Sequence, residues 1–189
     1  MTEAITSPDK SRTSLLIAAG GVLTGVVTPL LPSLIDKISD TPGDLRIALV
    51  AIPFAILVLI LVRRLSANPW WAAPTAAIVT LIAFVCAVNA AIWIDGQVAD
   101  ASKAARNIMA GLAGGFTGAT IMALGISLLP AGPRDVVAWL PMLVIGTVAG
   151  ALLALDNALE LDKTSLLYPV WQAGVAITLA MALRRTKLS

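Results

Sequence analysis

Histidine is absent from this chain of 189 residues, cysteine occurs once, and only 13% of the side chains are charged. Each scarcity removes a class of chemistry. With no imidazole there is no His-based zinc site, no H-E-x-x-H protease helix and no serine–histidine pair. The lone Cys86 can build neither a disulfide nor a cysteine metal site within one chain, and it reads as a small buried apolar group. No G-x-S-x-G, P-loop or G-x-G-x-x-G string is present. Lysine and arginine are scattered instead of clustered, which leaves no nucleic-acid-binding face. The expectation is a protein that is not an enzyme, with no catalytic, metal or cofactor site and no nucleic-acid partner.

Charge, scarce overall, is missing altogether from six long stretches: Ser14–Ile35, Ile47–Val62, Ala72–Ile94, Asn107–Leu129, Val136–Leu155 and Leu166–Leu183. Each is near the roughly 17–25 residues that carry a helix across the hydrocarbon core. Hydrophobic residues make up 58% of the chain and its mean hydropathy is +0.91. Soluble domains, in contrast, are about one-quarter charged. The expected fold class is an all-α integral membrane protein of six transmembrane helices, held in a lipid bilayer and placed in a bacterial inner (cytoplasmic) membrane. Residues 1–13 form an N-terminal tail, 14–184 the helical domain and 185–189 a short basic C-terminal tail. No separate soluble domain fits in that length.

Basic residues orient the spans. With the N-terminus cytoplasmic, the inner segments hold Lys10, Arg12, Arg63, Arg64, Arg134, Arg184, Arg185 and Lys187, and the outer ones Lys37, Arg46, Lys103, Arg106 and Lys163. That is a positive-inside bias, and an even number of spans returns the C-terminus to the cytoplasm. The outer segments carry most acids: Asp36, Asp40, Asp44, Asp95, Asp100, Asp156, Glu160 and Asp162, against Glu3, Asp9 and Asp135 inside. Trp70, Trp71, Trp93, Trp139, Tyr168 and Trp171 fall near span ends, and they read as an interfacial aromatic belt instead of a ligand cage.

Prolines mark where the helices should bend. Pro53 removes a backbone donor from the second run and should kink it. Lys10 and Arg12 before the first run imitate a signal peptide. That run is longer than a typical signal core and contains Pro29 and Pro32, so it reads as retained. Within it, Thr24–Pro32 is the best candidate for an interrupted helix, because the prolines free carbonyls beside the hydroxyls of Thr24 and Thr28.

Short strings recur between the two halves. Ala19–Gly25 resembles Ala113–Gly118, and Ser33-Leu34 corresponds to Ser127-Leu128. Pro42–Leu45 resembles Pro133–Val136, while Pro69, Trp71, Ala73 and Ala76 match Pro169, Trp171, Ala173 and Ala176. The matches need gaps to align. A true duplication, 14–94 against 107–184, would consist of three-span units and would therefore be inverted in the membrane.

Glycine is unevenly placed. The second and third runs lack it, while Gly111, Gly115, Gly118 and Gly125 recur at helical spacing in the fourth, with Gly114 beside them. Gly21 and Gly25, Gly114 and Gly118, and Gly146 and Gly150 form small-xxx-small pairs, the pattern that lets helix backbones approach. Such faces serve helix packing within one subunit, in a homo-oligomer or against another membrane protein. They can also line a path or hinge, for which Thr24, Thr28, Pro29, Asn89, Thr117 and Thr120 are the candidate residues. Asn89 and Gln172, costly to expose to lipid, should turn inward. Asp95 and Asp156 read as solvated loop charge at the outer span ends.

Two functions fit these residues. One is transport or permeation of a small neutral solute, or of an ion held by backbone and threonine oxygens, since no buried charge offers a proton relay. The other is a non-transporting scaffold, assembly subunit or anchor that packs through its glycine faces. Broken helices and polar groups around one cavity favour the first; a dry interior with glycine faces at a subunit boundary favours the second.

Overall fold

The computed structural model describes residues 8–38, 43–161 and 164–188. Glu3, Asp40, Pro42, Asp162 and Lys163 lie outside the described residues, as do the side chains of Asp9, Lys10 and Lys187. The described chain is all-helical, without a β-strand.

The first run folds as helix α1 (Pro8–Val27), a single 3₁₀ turn (Thr28–Leu30) and α2 (Leu31–Ile38). The tightening falls where Pro29 and Pro32 withhold two backbone donors. It does not unwind the chain: Ser11–Ile38 remains one 28-residue stretch. Next come α3 (Gly43–Val50) and α4 (Ile52–Leu65), which meet at 52°. The bend sits at Ala51, whose N–H bonds Ala48 O at 3.0 Å, just before Pro53 in the first turn of α4.

Helix α5 (Ala72–Gln97) is glycine-free until Gly96 and runs straight on into α6 (Lys103–Ser127) through a turn capped by the Ser102 hydroxyl. Arg106 clamps that turn, donating to the two Asp95 oxygens at 3.0 and 2.5 Å. Asp95 is thus an ion-pair partner and not a free loop charge. Helices α7 (Val136–Gly150) and α8 (Leu152–Ala158) form a nearly continuous rod, and α9 (Leu167–Leu188) closes the bundle.

Among the described residues, four stretches are long and apolar enough to cross a membrane: Ser11–Ile38, Ala72–Gln97, Lys103–Ser127 and Val136–Ala158. The bent α3–α4 pair makes a fifth if taken as one span. Six were expected; Leu166–Leu183 is the run outside this set. It does fold as α9, and its lower hydropathy has a structural reason. Gln172, Val175, Ala176, Thr178, Leu179, Ala180 and Leu183 are buried, because α1, α4 and α7 pack around α9. A helix enclosed by protein can afford polar groups that a lipid-facing one cannot.

The distribution of side chains supports a lipid surround. Small residues fill the interior (Ala72, Ala73, Ala76, Ala83, Ala119, Ala180), while Ile56, Ile60, Ile78, Ile82, Ile92 and Val148 point out. At one end of the bundle Phe54, Val58, Met122, Ile126, Met142 and Leu179 form a close-packed apolar plug with at most 1% of each exposed. Asn68 ties that end together: its Oδ1 accepts from Ala131 N at 2.7 Å and its Nδ2 donates to Ser66 Oγ at 3.1 Å.

The aromatic belt is narrower than expected. Trp70 and Trp93 are 74% and 63% exposed, as interfacial anchors should be. Trp139 and Trp171 are only 5% and 8% exposed, so neither belongs to the belt. Trp139 gives its indole proton to Pro133 O at 2.8 Å, which satisfies it inside the protein.

Candidate functional site

Glycine decides how the helices meet. A methyl group on Gly21 would collide with the backbone of Ala173, and one on Gly25 with that of Pro169, so α1 and α9 lie almost backbone to backbone. Gly111 opposes the Gly150 carbonyl and Gly115 that of Gly146, which seats α6 equally closely on α7. On the other side of α6, a Cβ at Gly114 would stand 2.9 Å from Ala87 O, and one at Gly125 would strike the Val79 side chain. The glycine face of α6 is therefore one continuous arc shared by two neighbours. Its Gly111 and Gly115 edge meets α7; its Gly114, Gly118 and Gly125 edge meets α5. All these contacts lie within the chain.

Space remains beside the first half of α6, at the end of the bundle opposite the apolar plug. Two cavities share Leu153, Leu167 and Tyr168 as common wall. The outer one, about 370 Å³, is a polar bowl bounded by Pro29, Lys103, Asp156, Asn157, Glu160 and Ser165. The inner one, about 210 Å³, is an apolar crevice with Phe84, Ala87, Val88 and Ala91 on one wall, Trp171 on the other, and Gly111, Gly114, Gly115 and Gly150 as floor. Phe84 of α5 and Tyr168 of α9 stack across the crevice with centroids 6.0 Å apart. Phe54, part of the plug, meets Trp171 edge-on at 5.7 Å.

Asp156 fixes the bowl. It was expected to be solvated, yet it is 9% exposed. Its Oδ1 accepts from Leu166 N at 2.8 Å, and its Oδ2 from Ser165 Oγ at 2.5 Å and Leu167 N at 3.3 Å. Leu167 N is the first amide of α9 and Leu166 N the one before it, so a carboxylate from α8 caps that helix and offsets its positive end. Glu160, on the rim, holds φ at 51°, in the left-handed region. There it ends α8 with a Leu161 N to Asp156 O bond of 3.0 Å, a turn usually given to glycine.

The other expected path residues are only partly gathered here. Pro29 lines the bowl. Thr28 is fully buried one turn from it, accepting from Gln172 Nε2 at 2.9 Å while donating to Thr24 O at 2.9 Å. Thr24 in turn donates to Gly21 O at 3.1 Å. Thr117 is partly buried on α6, and Thr120 has a buried hydroxyl with no protein partner. Asn89 does not turn inward. It is exposed on α5, where it donates to Val85 O at 2.9 Å and to Asp44 Oδ1 at 3.2 Å; a partner from α3 satisfies it at the surface.

Gln172 does turn inward, but only half satisfied, since its Oε1 is buried without a partner. Gln172→Met should therefore change stability by less than about 1 kcal/mol, because Thr28 keeps its bond to Thr24 and an unpaired oxygen disappears. Thr28→Val, which strands the whole amide, should cost about 1–3 kcal/mol. Equilibrium unfolding in mixed micelles distinguishes the two. A larger loss for the methionine variant than for the valine variant would show that the pair is held differently.

Sequence reasoning missed the Asp156 cap, the Phe84–Tyr168 stack and Gly174, whose missing side chain makes room for Ile145. No protein-family model matches the chain, and no curated protein or solved structure matches it either.

Proposed function

We propose that the chain crosses the membrane six times with both termini on the cytoplasmic side, and that it carries a small solute, neutral or a singly charged ion, through the cavity at its outer end. One observation supports this reading above the others. The polar bowl and the apolar crevice adjoin at Leu153, Leu167 and Tyr168, and the close-packed apolar plug lies at the other end of the bundle. Polar and apolar space side by side at one end, with close packing at the other, is an arrangement that alternating access about a fixed site can use. The scaffold reading needs glycine faces free for a partner, and those faces are occupied by α5, α7 and α9.

The test uses purified protein in liposomes, with glycerol, urea, potassium and tetramethylammonium as probes, followed by light scattering or ion-selective dye. At Gly118 a Cβ would lie 3.2 Å from Ala87 Cβ and 3.4 Å from Trp171 Cζ2. Alanine there should be tolerated with flux kept, whereas Gly118→Leu should push on Trp171 and remove at least about nine-tenths of it. No flux of any probe above empty liposomes, from folded protein, would overturn the carrier reading in favour of the scaffold.

A further inference from the structure

We propose that the bowl and crevice together bind an amphipathic organic cation, an ammonium head on a single aliphatic or aromatic body. This rests on the cavity being the solute site, as argued above, and names what the site takes.

Three features of the walls converge on that class. First, the bowl carries Asp156 and Glu160 against Lys103, while nearby Arg106 is committed to Asp95. An anionic head gains nothing from the start of α9, because Asp156 already occupies its amides. Second, Tyr168 borders both chambers and stacks on Phe84, which places aromatic rings where the head would pass from bowl to crevice. A quaternary ammonium is attracted to the face of such a ring, and the outer face of Tyr168, not the one stacked on Phe84, would have to receive it. Third, the crevice below offers only apolar walls and bare glycine backbone. A wholly polar solute would lose its hydration there without compensation, whereas a slender tail would not. The two volumes, about 370 and 210 Å³, lie in the range of small-molecule sites when joined.

The tail should end on Trp171, and that gives a direct readout. The full chain in phosphatidylcholine nanodiscs is titrated with ω-bromooctyl trimethylammonium, whose bromine quenches indole emission on contact. The emission difference from Trp171→Phe isolates Trp171 from the four other tryptophans, which face lipid or lie elsewhere. We expect saturable quenching of that component, and at least about tenfold weaker quenching by ω-bromooctyl sulfate at equal membrane loading. Val88→Phe, which enlarges a partly exposed side chain of the crevice wall, should block it. Glu160→Gln should weaken it about two- to fivefold, as befits an exposed charge pair. Quenching that rises linearly with loading, is equal for the two amphiphiles, or survives Val88→Phe overturns the proposal. Neutral-solute flux without saturable quenching would sink this inference and leave the carrier reading standing. Saturable quenching without flux would do the reverse.

Discussion

Gly111→Ala is expected to destabilise the bundle by about 3 kcal/mol or more, at the upper end of what one added methyl costs in a packed interior. The added carbon would meet the Gly150 carbonyl, and neither helix can yield locally because both atoms are main chain. The pair must separate along its length, and the loss of contact extends to Gly115 and Gly146. Gly150→Ala should behave alike, since its own Cβ would meet the Gly111 carbonyl. The double variant then gives the sharper test. Once one methyl has moved α6 off α7, the second enters space already opened, so the two losses should add to clearly less than their sum. Unfolding of single and double variants in mixed micelles, with helix content as readout, measures this. Full additivity would mean that the two collisions are independent and that the close seating of α6 on α7 is not a single feature. Gly43 and Gly96, where a Cβ meets nothing, supply the neutral controls.

That interface also shows where reading from the sequence stops. The charge-free runs revealed the helices, because charge is excluded from lipid irrespective of tertiary contacts. Pro29 and Pro53 marked the breaks, because a missing N–H acts locally. Glycine spacing identified a flat arc on α6 but not that two helices share it; which neighbour meets which edge depends on crossing geometry. The matched strings illustrate the same limit. They align Gly21 with Gly115 and Ala173 with Ala73, so that Gly115 would oppose Ala73. Instead Gly115 faces Gly146, and Gly114 faces Ala87. Helix α1 packs on α9 and α6 on α5, and the register of these contacts does not follow the strings. Aromatic residues were least legible. Trp71 and Trp171 match in the recurring strings, but Trp71 precedes α5 and is 44% exposed, whereas Trp171 is the fifth residue of α9 and lines a cavity.

The bowl depends on Asp156 in a way no sequence pattern announced, since its donors lie nine to eleven residues away, beyond a turn. Asp156→Ala should cost about 2–4 kcal/mol, the combined loss of a helix cap and of charge-assisted hydrogen bonds in a mostly buried setting. Asparagine should recover less than half, because it retains one acceptor oxygen and turns an amide toward groups that are themselves donors. Ser165→Ala should cost only about 1 kcal/mol, leaving both backbone bonds to the carboxylate in place. Hydrogen exchange locates the effect. In Asp156→Ala the amides of Leu166, Leu167 and Tyr168 should lose protection first, while the Leu179–Leu183 region, in the plug, holds. Fraying there would draw Tyr168 away from Phe84 and open the crevice to the bowl. Stability and cavity access should therefore change together, with α9 shortened by about one turn. If Asp156→Ala and Ser165→Ala lose the same small amount, the carboxylate is screened by solvent. The end of α9 must then be held by its packing on α1, and the shape of the bowl owes nothing to its charge.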